Sequence, residues 1–343
     1  VTDTTTPPPP APARGPIAPA ELERARDVVG AVSKAFSRKV VGQTSLRDTL
    51  LIALLTGGHV LLESVPGLAK TTAAQTLAQS VAASFTRIQC TPDLLPSDIT
   101  GTQIYDAQQS TFVTRLGPVH SNFVLLDEIN RSSAKTQSAM LEAMQERQTS
   151  IGGVVHRLPH PFLVLATQNP IEQEGTYQLP EAQLDRFLLK EVLDYPSPAE
   201  EAEIIRRIEA GVYDEATPEP RSGVSLDDVV FLQGLAKRVY VDPSIVNYIV
   251  QLVYVTRHPQ QYLPGSLADY IEFGASPRGS IAFTQAARAL ALLHGRDYVI
   301  PEDVKHLRHG VLRHRVILGY EAAADEIAPE TIIDAVFAAV QTP

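Results

Sequence analysis

The spacing of apolar residues changes character once along the chain. Residues 21–38 place Leu22, Ala25, Val29, Val32 and Phe36 at steps of three and four, the period of a helix with one buried face. A break at Val40-Val41-Gly42-Gln43 precedes a second helix that runs through Leu55. Short strand-like runs follow at 59–63, 85–90, 162–166 and 187–192, and 122–129 is a continuous apolar run that ends in two acids. Strands of a parallel sheet covered on both faces read this way. Helical patterns at 71–83 and 132–146 lie between them, with a hairpin-like stretch at 149–158 around Gly152-Gly153. Beyond Pro196 and Pro198 the pattern predicts helices at 199–210, 226–237, 243–256, 277–294, 301–309 and 329–340, with no convincing strand. Several begin with proline, whose missing N–H costs nothing in a first turn. The chain therefore divides near 196 into an α/β block with a parallel sheet and an all-α block, without internal repeat.

Composition adds limits. With 343 residues, 44% of them hydrophobic and 20% charged, there is material for a substantial core. Lys+Arg number 29 against 39 Asp+Glu, a formal net charge of −10, which weighs against a protein that mainly coats nucleic acid. A single cysteine, Cys90, leaves no internal disulfide and no cysteine-based zinc site, and fits a reducing cytoplasm. No run reaches the length of a membrane-spanning helix, and no secretory signal is read at the start. Seven of the 26 prolines fall in the first twenty residues, which read as a solvated, extended tail. Pro7 to Pro10 is also a segment of the kind polyproline-binding partners take.

Three strand ends carry chemistry. Ser64-Val65-Pro66-Gly67-Leu68-Ala69-Lys70-Thr71 follows an apolar strand and opens a helix, with Thr72 next, which is the context of a phosphate-binding loop. There, backbone N–H groups cradle phosphates, Lys70 reaches the β- and γ-phosphates, and the Thr71 hydroxyl ligates Mg²⁺. The consensus is broken at Ser64 and at Ala69, so alone the string also fits an ordinary strand–turn–helix. The apolar strand ending in Asp127-Glu128 changes that balance, because paired carboxylates leaving a buried strand need a partner. Asp127 would hold the Mg²⁺ and Glu128 would orient or deprotonate the attacking water. The third strand ends in Thr167-Gln168-Asn169; Asn169 either bonds the same water or γ-phosphate, or serves as a turn residue before Pro170.

The strings TPDLLPSDITGTQIYD (91–106), LLDEINR (125–131), KTQSAMLEAMQERQ (135–148), LATQNPIEQEGTY (165–177) and LPEAQLDRF (179–187) resemble the MoxR family of AAA+ ATPases. The resemblance spans about 21–320. It implies an αβα nucleotide-binding core at 21–196 after the tail at 1–20, and a helical lid at 197–343. It also implies a superclade that includes magnesium-chelatase ATPase subunits and the minichromosome-maintenance helicases, marked by an insert at about 94–120 and a hairpin at about 149–158. By resemblance Asn169 is the first sensor, Arg186 the arginine finger acting on a neighbour's γ-phosphate, and Arg278 the second sensor. Val41 and Gly42 lie where the family packs the adenine. The implied cofactors are ATP and Mg²⁺. The implied assembly is a homo-oligomeric ring, taken as a hexamer, with a von Willebrand factor A domain protein as partner and a client the sequence does not name. The implied activity is ATP hydrolysis coupled to client remodelling. A nucleotide-held scaffold with vestigial hydrolysis and a DNA motor are the alternatives.

The departures from the family pattern carry their own expectations. Ala69 adds only a methyl near the phosphates. Ser64, if its position needs a positive φ, costs about 1–2 kcal/mol and weakens nucleotide binding. Ser132-Ser133 would cap the helix that follows. The basic stretch from Lys305 to Arg315 holds three of the nine histidines and is expected to pack the lid against a neighbouring core. His306 and His309 lack an evident third metal ligand. Met140 and Met144 are expected in the core.

Overall fold

The computed structural model describes residues 15–65, 67–170, 176–213 and 222–343. Most of the expected tail, Pro66 and the 171–175 part of the loop after Asn169 lie outside them. α1 (Pro19–Lys39) and α2 (Thr44–Thr56) lead into β1 (Val60–Glu63) and α3 (Lys70–Ser80). Next come β2 (Phe85–Gln89), α4 (Pro96–Thr100), the hairpin β3 (Gly101–Asp106) and β4 (Thr111–Leu116), and β5 (Phe123–Asp127). A 3-10 turn at Ile129–Arg131 precedes α5 (Ala134–Glu146), the hairpin β6 (Gln148–Ile151) and β7 (Val154–Arg157), β8 (Leu163–Gln168), the single turn α6 (Glu181–Leu184) and β9 (Leu189–Val192).

β2, β5, β8, β1 and β9 form one parallel sheet in that order. Alternate side chains enter two separate cores. Val60, Leu62, Phe123, Leu125, Leu163 and Leu165 face α1, α2 and α3. Leu61, Val124, Leu126, Val164 and Ala166 face Met140, Leu141 and Met144 of α5. Both faces of the three central strands are covered, so β1, β5 and β8 are apolar with little alternation, while the edge strands β2 and β9 carry polar residues. Ser133 caps α5 by accepting the N–H of Thr136 at 3.3 Å.

After β9 come α7 (Pro198–Glu209), α8 (Leu226–Ala236), α9 (Pro243–Arg257), α10 (Pro259–Tyr262), α11 (Gly265–Ala268), β10 (Ile271–Phe273) and α12 (Pro277–Leu293). Then follow α13 (Pro301–His306), α14 (Arg308–Leu312), β11 (Ile317–Leu318), α15 (Tyr320–Ala324) and α16 (Pro329–Ala339). This block is helical, but β10 and β11 pair as an antiparallel ribbon that the all-α expectation did not include. Strands of three and two residues are too short to show alternation. The helix expected over 301–309 breaks at Leu307 into α13 and α14. Leu232, Leu252, Phe283 and Ile332 of these helices belong to the same apolar cluster as Leu50 and Leu54 of α2, so the lid is packed onto the core along its length.

Candidate active site

Parallel strands bring their carboxyl ends to one edge. Leu61 and Leu126 both register with Ala166, so Glu63, Asp127 and Gln168 end β1, β5 and β8 side by side. In open α/β sheets ligands bind at this edge. The Ser64 N–H bonds Gln168 O at 3.1 Å and ties the loop to β8. Lys70, Thr71 and Thr72 then open α3, whose N-terminus is the positive end of its dipole. Lys70 Nζ lies 3.5 Å from Val65 O. Gly67 is exposed at φ +88°, a value that favours glycine, and Leu68 is buried.

The strain in this loop sits elsewhere than expected. Among the described residues the non-glycine positions with left-handed φ include Ala69, at +52°, and not Ser64. Ser64 is buried and donates through Oγ to Val65 O at 3.1 Å. The expected cost at Ser64 is therefore corrected: the substitution with a backbone consequence is the alanine.

One hydroxyl organises the acidic end of β5. Thr167 Oγ1 donates to Asp127 Oδ1 at 2.7 Å and accepts the N–H of Glu128 at 2.8 Å. Arg87, on the adjacent β2, donates to Asp127 Oδ2 through both Nε, at 3.1 Å, and Nη2. Glu128 stands in left-handed backbone at φ +58°, strain of the kind found at functional turns. Its Oε2 accepts from Gln89 and from Arg131, each at 2.9 Å. Asn169 is buried one residue beyond β8 and lines a cavity of about 510 Å³ with Glu63, Gln168 and Asn130. Thr167, Arg87 and Gln89 were missed because strand pairing, not sequence spacing, brings them to Asp127 and Glu128.

An apolar cleft of about 420 Å³ opens beside the loop. Val40, Val41, Gly67, Leu68, Ala69 and Thr72 form one wall. Pro196 with Ile204, Ile208 and Tyr213 form the other, and Tyr213 Oη donates to Lys39 O at 2.9 Å. Gly42 holds φ +62°, and a Cβ there would come 1.9 Å from Glu200 Oε1. An apolar slot next to a helix N-terminus suits a planar base with its phosphates. Asp127 and the Thr71 hydroxyl offer hard oxygen donors that fit Mg²⁺. No group of three or more His, Cys, Asp or Glu side chains that could hold a metal occurs among the described residues, so such an ion would share its ligands with phosphate.

Arg186 and Arg278 are elsewhere. Arg186 precedes β9, whose Leu189 registers with Val60 at the start of β1, which puts it at the amino edge of the sheet. There it lines a cavity of about 260 Å³ with Gly57, His59, Arg147, Asp185, Arg278 and Arg315. Arg278 thus shares a cavity with Arg186, and neither belongs to the cleft of the phosphate loop in its own chain. His59 accepts the Val164 N–H on Nδ1 at 3.0 Å and donates from Nε2 to Met144 O at 3.2 Å. Burial, with the charge of Arg147, pushes its pKa down to about 3, so it is neutral. The basic stretch makes contacts within its own chain: His314 Nε2 bonds Phe187 O at 3.0 Å and Arg313 pairs with Glu330.

A family model described as the ATPase family associated with various cellular activities (AAA) matches residues 59–189, and one described as AAA lid domain matches 267–336. The chain is 52% identical over 306 residues to Chaperone MoxR1 of Mycobacterium tuberculosis, covering 89% of this chain and 80% of that protein. The chain belongs to the MoxR family of AAA+ ATPases. Another MoxR relative, Protein MoxR of Paracoccus denitrificans, is 33% identical, with 90% of this chain and 94% of the relative covered. A solved structure of a Cytophaga hutchinsonii protein superposes with a TM-score of 0.88 at 45% identity, covering 94% of this chain and 97% of the other. The five-stranded parallel sheet with its flanking helices and the helical block after it are an AAA+ αβα core and lid. No helix among the described residues is long and apolar enough to cross a membrane.

Proposed function

We propose that the chain is a Mg²⁺-dependent ATPase that works as a ring, taken as a hexamer, and remodels a client protein in the manner of a chaperone. The observation that carries this reading is the separation of two half-sites. The phosphate loop, Asp127 and Asn169 are at the carboxyl edge of the sheet, while Arg186 and Arg278 are at the amino edge. A four-residue strand spans roughly 13 Å, so a chain's own Arg186 is far from its own γ-phosphate. Apposing two copies, amino edge to carboxyl edge, supplies the missing cations. This is a heterologous contact, which closes into a ring when its rotation allows.

In this reading Val41 and Gly42 hold the adenine, and the backbone of Ser64 to Ala69, with Lys70 and Thr72, cradles the phosphates. Thr71 and Asp127 would hold Mg²⁺, which neutralises charge on the β- and γ-oxygens. Glu128 takes a proton from the attacking water, and Asn169 orients that water. The neighbour's Arg186 and Arg278 stabilise charge on the transferring phosphoryl group. Arg278 thereby serves the adjacent site, not its own. The core at 21–196 supplies the loop and the lid at 197–343 carries Arg278.

The client surface is read from exposed apolar side chains. Tyr105 and Phe112 are 56% and 64% exposed on β3–β4, and Val154 and Val155 are exposed on β6–β7. Gln103 packs on Gly152 and sets the two hairpins side by side. An apolar surface of this kind suits a protein client more than a phosphate backbone. A von Willebrand factor A domain protein as partner is part of the same reading. Glu128→Gln tests it: nucleotide binding persists, ATP turnover falls by a factor of about 10² or more, and the trapped state retains its client for mass spectrometry. Turnover near wild type would sink the assignment of Glu128.

A further inference from the structure

The four arginines of the amino-edge cavity differ in what they have left to offer. Arg315, with its side chain 2% exposed, uses its donors within the chain. Nε bonds Asp185 Oδ1 at 2.8 Å, Nη1 bonds Val311 O at 2.6 Å and Leu188 O at 3.1 Å, and Nη2 bonds Phe187 O at 2.6 Å and Asp185 O at 3.5 Å. Arg147 donates to Gly57 O. Arg186, by contrast, has a buried Nε with no hydrogen-bond partner, and Arg278 is exposed.

The bonds of Arg315 continue across the core–lid seam. The second oxygen of Asp185, Oδ2, accepts from Ser276 Oγ at 2.6 Å. Ser276 is the N-cap of α12, and the same Oγ accepts the N–H of Arg278 at 3.0 Å. One chain of hydrogen bonds therefore runs Arg315–Asp185–Ser276–Arg278. Asp185 is the residue before Arg186, so the chain joins the base of one free arginine to the base of the other. A buried pair such as Arg315–Asp185 is in general a weak source of stability, and its better-attested use is to fix geometry.

We infer that Asp185, Ser276 and Arg315 are positioning residues that lock Arg186 of the core and Arg278 of the lid at one spacing, so that the pair meets a neighbour's triphosphate as a unit. This deepens, and rests on, the reading that both arginines act in trans. Its consequence is that a shift of the lid carries the finger with it.

The test uses Ser276→Ala, which breaks only the lid end of the chain, Ser276→Thr, which keeps the hydroxyl, and Asp185→Asn, with Arg186→Ala alongside. For Ser276→Ala and Asp185→Asn, kcat should fall about tenfold, with affinity for a fluorescent ADP analogue within about twofold of wild type. Ser276→Thr should restore kcat. Each variant is then co-assembled with Glu128→Gln, which has an inactive site of its own but intact arginines. A positioning defect is cured by such a neighbour, so the mixture should exceed the summed activities of its components. Recovery for Arg186→Ala but not for Ser276→Ala or Asp185→Asn would overturn the positioning role and leave the trans reading standing. Unchanged kcat in Ser276→Ala would do the same. Absence of recovery for Arg186→Ala would bring down the trans reading and this inference together.

Discussion

Replacing Ala69 by glycine asks where the backbone strain of the phosphate loop resides. Ala69 is held at φ 52°, ψ 23° as the N-cap of α3. That left-handed conformation costs a residue with a Cβ about 1–2 kcal/mol. Glycine removes the cost, but its freer unfolded chain returns about 0.4–1 kcal/mol. Ala69 is exposed, so no buried contact is lost. The net expectation is a stabilisation of about 0.5–1 kcal/mol. Ser64→Gly should go the other way. Ser64 is absent from the left-handed positions, is buried and donates to Val65 O, so glycine there loses a bond and gains only unfolded-state entropy, a destabilisation of about 1–2 kcal/mol. Urea denaturation followed by circular dichroism, with unchanged m-values, reads both signs. In heating experiments each kcal/mol corresponds to roughly 2 °C for a chain of this size. Titration with ATP should show no gain in affinity for Ser64→Gly. A stabilising Ser64→Gly paired with a destabilising Ala69→Gly would refute the argument.

Two further variants probe the two sheet edges. Thr167→Val keeps the shape of a fully buried side chain but strands the Glu128 N–H and one Asp127 oxygen, which should cost about 1–3 kcal/mol and depress turnover more than nucleotide affinity; unchanged turnover would remove Thr167 from the site. His59 has its pKa lowered from 6.5 to about 3, so its contribution is fully present above pH 6.5 and is lost as pH falls toward 3. From pH 7 to 5 it should withdraw about 2 kcal/mol of stability, a slope that His59→Gln should flatten; equal slopes in urea titrations of the two proteins would contradict it.

What the sequence disclosed follows from which contacts are local. The central sheet strands were legible because burial on both faces makes β1, β5 and β8 apolar almost throughout, and the carboxylates at 127 and 128 stand out against the run of β5. Lys70 and Thr71 were legible because strand, loop and helix are contiguous. The hairpin at 101–116 was seen only as an insert. Its Ile104, Tyr105, Phe112 and Val113 are exposed and therefore give no core-facing pattern. Arg87, Thr167 and Ser276 were invisible for a different reason: each acts through a partner at least 40 residues away, fixed by strand order or by the lid docking on the core. The strain at Ala69 was misassigned because the conformation at each loop position is set by how the turn enters α3, which the order of residues does not state.

The position of Arg278 changes what the lid can do. Placed over the cleft of its own chain, it would make lid closure a response to the chain's own nucleotide. Its cavity is instead shared with Arg186 at the opposite edge of the sheet. The other wall of the apolar cleft beside the phosphate loop, formed by Ile204, Ile208 and Tyr213, belongs to the same lid block. In the proposed ring, one block would therefore touch the base of its own nucleotide through α7 and face the neighbour's phosphates through the start of α12. A ligand shifts a conformational equilibrium only by contacting the two states differently. In that ring a lid displacement following base binding would change the contact made in the next site, so the nucleotide state of one protomer would have a direct structural route to Arg186 and Arg278 acting on another. Such coupling would need no long pathway through the sheet, because in that ring the lid itself would span from one site to the next.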